Sequence, residues 1–202
     1  MDQVMRPGQH TRAFSLIELI ITLGLLIIMV VMMEGRGSRS YQQRQLAACN
    51  KNLQTIHLAL QMYANDNRMA YPVVRSAETA EAPMSLLVPR YSTVTEIFIC
   101  PGSKDKSLPE GEPFARRKIS YAYYMGLTNG AAGALLSDRQ VDTLPKKSGQ
   151  KIFSADGKSP GSNHSKYGGN LLFHDGHVAT SSPTNSHDLT FPTNVTLLNP
   201  RS

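Results

Sequence analysis

The chain has 202 residues, 41% hydrophobic and 18% charged, enough for one globular domain with its own core plus an appendage. Its formal charge of +6 comes from 21 basic and 15 acidic residues. These are spread along the chain and form no Lys/Arg stripe, which argues against a nucleic-acid partner. The two cysteines, Cys49 and Cys100, form no zinc-type Cys cluster, and no internal repeat is visible.

Residues 1–13 read as a short leader carrying Arg6, His10 and Arg12. From Phe14 to Met33 follow 20 residues, FSLIELIITLGLLIIMVVMM, with one charge, Glu18. As a helix this run would span about 30 Å, the thickness of a bilayer's hydrocarbon core. A secretory signal peptide has the same polarity. This run, however, is longer than an ordinary h-region, holds a Glu, and leads into the polar stretch Glu34–Arg39 with no small-x-small cleavage site. The expectation is a membrane-inserted helix.

A carboxylate inside such a helix costs about 2.5–3.5 kcal/mol on insertion scales and needs a partner or a function. A cut between Ala13 and Phe14 would free an α-amine at Phe14, four positions from Glu18 and on the same helix face. Cleavage would thus set a positive charge within reach of Glu18, in its own chain or in a packed neighbour. The alternative is a Glu tolerated near the membrane surface.

Gly35 and Gly37 follow, each costing about 1 kcal/mol against Ala in a helix, and predict a joint. From Tyr41 to Asn65 the apolar positions Leu46, Cys49, Leu53, Ile56, Leu60 and Tyr63 recur at alternating spacings of 3 and 4, one stripe on a helix face. Gln42, Arg44, Asn50, Lys51, Gln54 and Gln61 fall mainly on the other face. Asn65–Asn67 and Pro72 supply the stop.

Beyond Pro72 the chain turns to short strand-like runs: Thr93–Cys100, Lys118–Met125 and Lys151–Ser154. Residues 170–180 hold Asp175–Gly176 between two β-prone runs, a hairpin signal of the type I′ kind, with positive φ at both central residues. The fold class expected is α+β: a long N-terminal helix, membrane half plus amphipathic half, packed on a small antiparallel sheet, with long loops at 101–117 and 126–150. The histidines His164, His174 and His177 with Asp156 and Asp175 invite a metal or acid–base reading. His174 and His177 flank a turn in which Asp175 already has a role, and no nucleophile elbow or phosphate loop accompanies them. Enzymatic activity is therefore not expected.

Two stretches carry a resemblance. RAFSLIELI, Arg12 to Ile20, resembles the processing motif of type IV pilins and type II secretion pseudopilins, matching at Phe14, Leu16, Ile17, Glu18 and Leu19, with Ser15 for Thr and Ala13 for the usual Gly. The segment from Cys49 to Asn67, together with IleSerTyrAlaTyr at 119–123, PheIleCysPro at 98–101 and the run from Asn163 to Val178, resembles prepilin-like proteins abundant in planctomycetes. Their C-terminal signature is a His followed by Asp-Gly. Here ten residues separate His164 from Asp175, where nine are common.

The resemblance implies a pilin-like fold with residues 1–13 as a cleaved leader, 14–40 as hydrophobic membrane and assembly helix with its joint, and 41–202 as a globular pilin-like domain. It implies processing between Ala13 and Phe14 by a prepilin peptidase, methylation of the Phe14 amine, and Glu18 pairing with a neighbouring subunit's amine in a homo- or hetero-oligomeric filament. The location implied is the cytoplasmic membrane, single-pass, with the C-terminal domain in the periplasm. That compartment permits a Cys49–Cys100 disulfide, against two independent buried thiols. Major pseudopilins carry a calcium loop near the C-terminus. Its ligands find no residue-by-residue match here, so a structural Ca²⁺ near Asp156 and Asp175 is the one cofactor in question. The function expected is a structural filament subunit. The alternative is a membrane-anchored extracytoplasmic binding module that does not polymerise.

Overall fold

The computed structural model describes residues 15–106, 109, 111, 114, 117–139, 153, 163–164, 167–181 and 194–201, with the backbone alone for 33–39 and 181. The chain falls into two compact units, Met1–Ser40 and Tyr41–Ser202. Helix α1 runs Leu16–Asp66. Its backbone stays helical through Gly35 and Gly37, where the sequence predicts an interruption. Two glycines cost about 2 kcal/mol of helix propensity, less than breaking and renucleating a helix with hydrogen-bonded turns on both sides.

In the first unit the described apolar side chains extend from Leu16 to Met32, and the large ones are between 49% (Val30) and 75% (Leu16) exposed. Among the described residues no helix is long and apolar enough to cross a membrane.

In the second unit Cys49, Leu53, Ile56 and Leu60 of α1 are buried completely, joined by Ala59 and Ala64. Leu46 and Tyr63, the ends of the predicted stripe, are half-buried. The helix stops where Arg68 and Met69 take positive φ (54° and 62°), and the Met69 N–H returns to the Ala64 carbonyl at 2.8 Å. Asn67 Nδ2 donates to the Tyr63 carbonyl at 2.8 Å, satisfying one of the acceptors a helix end leaves open.

A short helix α2 (Glu81–Met84) follows, then the strands β1 (Tyr121–Met125), β2 (Ala134–Asp138), β3 (Gly169–Phe173), β4 (Val178–Ser181) and β5 (Thr196–Leu198). They form one antiparallel sheet in the order β4-β3-β2-β1-β5. The class is α+β. Every residue of β1 and β2 is buried, so the central strands are covered on both faces and show no polar alternation.

Three expectations are corrected. Residues 93–100 form no strand: Glu96–Phe98 is a 3₁₀ turn. Both edges of β1 are already taken by β2 and β5, and Thr95 Oγ1 donates to the Pro109 carbonyl at 2.8 Å. The segment is apolar because Phe98 packs edge-on against Phe114, centroids 4.8 Å apart. The 126–150 stretch is not simply a loop, since it contains β2. The hairpin at Asp175–Gly176 exists but is not type I′. Of its turn residues only Gly176 has positive φ (84°). The Gly176 N–H donates to the Phe173 carbonyl and the Phe173 N–H to the His177 carbonyl (3.0 and 2.9 Å). That is a three-residue loop with a glycine bulge. The candidate strand Lys151–Ser154 lies outside the described residues save Phe153, which is buried.

Tyr121 and Tyr123 point their rings into this core. Burial pushes both phenols well above their ordinary value of 10.0, helped by the Asp138 carboxylate at Tyr121 and by Tyr71 and Tyr63 at Tyr123. A phenol held protonated in the fold but free to ionise near 10.0 when unfolded contributes stability that is complete below that pH. The contribution is lost as pH rises further, by about 1.4 kcal/mol per pH unit for each group. Alkali should therefore unfold the protein, with the tyrosinate absorbance of the buried phenols and the loss of circular dichroism changing in one shared transition. Full tyrosinate titration with an intact circular dichroism spectrum would contradict this.

Candidate functional site

The residues singled out by the sequence separate in space. Ala13, Phe14 and Asp156 lie outside the described residues. Glu18 stands in the first turn of α1, exposed, its N–H bonded to the Ser15 carbonyl at 3.0 Å. Asp175 is exposed in the β3–β4 turn, where Oδ1 accepts the His177 N–H at 2.9 Å. That backbone hydrogen bond, with smaller help from His174 and His177, holds its carboxyl below the usual aspartate range. Among the described residues Asp175 joins no group of three or more His, Cys, Asp or Glu side chains. His174 is a scaffold residue: its carbonyl meets His57 Nε2 at 3.0 Å and its N–H bonds to Gly133. His177 stacks on Phe173, centroids 6.1 Å apart.

The concentrated chemistry lies elsewhere, where α1, the 100–103 turn, the end of β2 and the residues before β3 meet. Cys49, on the buried helix stripe, is bonded to Cys100 (S–S 2.03 Å, Cα–Cα 5.3 Å). His164 Nε2 lies 3.2 Å from Cys100 Sγ and 3.4 Å from Asp138 Oδ2. All four side chains are buried to within 1%. A disulfide sulfur has no proton to give, so in this contact the donor is Nε2. Nδ1 is buried and without a hydrogen-bond partner.

The cluster is held firmly by its surroundings. Asp138 Oδ2 accepts the Asn170 N–H at 2.7 Å and Oδ1 accepts Asn163 Nδ2 at 2.9 Å. Asn163 Nδ2 also donates to the Ser120 carbonyl at 2.7 Å. The Gly102 N–H points at Cys100 Sγ from 3.3 Å. A Cβ at Gly102 would fall 2.5 Å from His164 Nδ1 and 2.7 Å from the Asn163 carbonyl oxygen. This glycine therefore lets the turn lie directly on the imidazole. One layer further out, Arg139 Nη2 pairs with Asp105 Oδ2 at 2.7 Å, and Ser120 Oγ donates to the same oxygen at 2.6 Å.

His164 belongs to this cluster and not to the hairpin histidines with which the sequence groups it. Asp138 and Asn163 are absent from the sequence-based candidates. The one signal for Asp138 is an acid closing the apolar run AlaLeuLeu at 134–136, in a stretch that reads as loop. A shallow groove of about 380 Å³, lined by Asn52, Val94, Glu96, Ile97, Ile99 and Pro101, opens nearby in the chain. Asn52 is engaged with the Ile99 carbonyl and the Tyr121 hydroxyl.

No family model matches the chain, and no characterised protein and no solved structure is found to be similar to it.

Proposed function

We propose that the chain is a structural subunit of a type IV pilus-like or type II secretion filament, a pseudopilin or pilin processed by a prepilin peptidase between Ala13 and Phe14. The observation that carries this reading is the run from Leu16 to Met32, whose apolar side chains are exposed and whose single ionisable group is Glu18. A helix with so much uncovered apolar surface needs lipid or neighbouring helices around it. In the sequence the run extends over Phe14–Met33, long enough to sit in the cytoplasmic membrane before assembly. In the filament these helices pack together, and Glu18 takes the Phe14 amine of a neighbouring subunit as its counter-charge.

The amphipathic half of α1 and the antiparallel sheet support a pilin-like globular domain facing outward, in the periplasm. The Cys49–Cys100 bond supports an oxidising compartment. The subunit performs no catalysis in this reading, and the covalent chemistry on its N-terminus belongs to the peptidase.

Expression beside a prepilin peptidase should remove about 1.4 kDa, the thirteen-residue leader at the chain's mean residue mass, and leave a methylated Phe14. Glu18→Ala should be cut normally yet fail to crosslink into higher assemblies in membranes. An intact N-terminus would overturn processing. Normal cleavage with unchanged crosslinking would overturn the role of Glu18, and a wild type that never crosslinks would favour the non-polymerising, membrane-anchored binding module.

A further inference from the structure

We propose that Cys49, Cys100, His164 and Asp138 form a zinc site when the disulfide is open, so that a metal ion replaces the covalent tie between α1 and the 100–103 turn. Each residue offers one ligand atom, and these atoms lie within 4.8 Å of one another. Two thiolates, an imidazole and a carboxylate are a borderline-soft set with the coordination number of structural zinc. Tetrahedral zinc, with bonds of about 2.3 Å to sulfur and 2.0–2.2 Å to nitrogen and oxygen, sets ligand atoms about 3.4 Å apart for N–O and 3.6 Å for S–N. His164 Nε2 stands 3.4 Å from Asp138 Oδ2 and 3.2 Å from Cys100 Sγ. The nitrogen and the carboxylate thus already have the spacing of two tetrahedral corners, and only the sulfurs have to part.

Two of the four ligands are already held by donors. Asp138 is fixed by the Asn170 N–H and Asn163 Nδ2, and the Gly102 N–H is aimed at Cys100 Sγ. Donors of this kind orient ligands and spread thiolate charge. The site is sealed from bulk solvent, with all four side chains at most 1% exposed. The turn over it is thin: Gly102 touches the imidazole on one side and is half-exposed on the other. Displacing that turn is the route of entry.

The opening step is a two-electron reduction by a dithiol. The Cys49 Sγ–Cys100 Sγ bond breaks, each sulfur gains a proton, and the reductant's two thiols close into their own disulfide. Zinc binding then releases both thiol protons to solvent, and the Nε2 hydrogen of His164 moves to Nδ1, freeing the Nε2 lone pair for the metal. Nothing in this proposal depends on the filament reading.

The test uses the full-length chain in detergent, reduced with a phosphine and titrated with Co²⁺ as a spectroscopic stand-in and with Zn²⁺. The expected result is one metal per chain, sulfur-to-cobalt charge-transfer bands with the visible spectrum of a tetrahedral site, and a higher melting temperature with Zn²⁺ than with chelator. The oxidised chain should show none of the three. His164→Gln, checked for an unchanged far-ultraviolet circular dichroism spectrum, should weaken Co²⁺ binding by more than about 100-fold, beyond the loss of an outer-shell partner. Should that variant not fold, the wild-type spectrum still decides. No metal uptake by the reduced chain, a spectrum without thiolate bands, equal binding by the oxidised chain, or a folded His164→Gln that binds like wild type would each overturn the site.

Discussion

Replacing Asp138 with Ala should cost the folded state about 3–5 kcal/mol, the range for breaking a buried charged network from one side. Asp138 is 1% exposed and accepts the Asn170 N–H and Asn163 Nδ2, with His164 Nε2 at 3.4 Å. Truncation leaves an amide N–H at the start of β3, a side-chain amide and an imidazole facing a space sealed from bulk solvent. None of them can turn to solvent, because each is fixed by its own strand or turn. Asp138→Asn retains the shape and one acceptor oxygen and should cost clearly less. Denaturant unfolding of the oxidised chain, followed by circular dichroism, measures both. A loss under about 1 kcal/mol for Asp138→Ala, the ordinary value of one neutral hydrogen bond, would mean that the cluster relaxes or admits water.

The second large effect is expected from the disulfide. Cys49 and Cys100 close a loop of 51 residues, and in the chain-entropy account opening a loop of that size costs about 4 kcal/mol. Cys49→Ala with Cys100→Ala should therefore lower the denaturant midpoint about as much as losing Asp138. The two changes should not be additive, since His164 contacts both. The double variant also leaves His164 Nε2 without its sulfur neighbour. A loss well below 2 kcal/mol would indicate that the unfolded chain already holds helix and turn together.

How much of this was legible in the sequence varies with the range of the forces involved. The stripe of Cys49, Leu53, Ile56 and Leu60 is a local periodicity, and all four side chains are buried. The β3–β4 hairpin was visible because Asp175–Gly176 encodes a turn within four residues. Its three-residue form was not, because one backbone hydrogen bond decides between loop types. Strand β2 was hidden because a strand covered on both faces loses the alternation that marks strands, leaving AlaLeuLeu amid a Gly-rich stretch. Strand β5 has three residues and no pattern of its own; it exists because β1 offers an edge. Thr93–Cys100 misled in the opposite direction, β-branched and apolar but held by Pro109 and Phe114, with both edges of β1 taken.

The central cluster was the least legible part. Cys49, Cys100, Asp138 and His164 sit on four separate stretches of chain, and no local spacing relates them. Sequence left the cysteines open between a staple and two buried thiols, and grouped His164 with residues that the fold places elsewhere.

The position of β5 has a consequence for how the domain is made. Its partner β1 waits from residue 121 onward with one edge uncovered, and the Ala80 N–H and Glu81 Oε1 wait for the Asn199 carbonyl and the Arg201 N–H (3.0 and 2.8 Å). A chain delivered from its N-terminus can complete the β1–β4 meander early. Until residues 194–201 join, it holds an open sheet edge and a buried Glu81 carboxylate without the Arg201 N–H. Residues 196–201 are the latch, and a chain lacking them offers that edge to its neighbours.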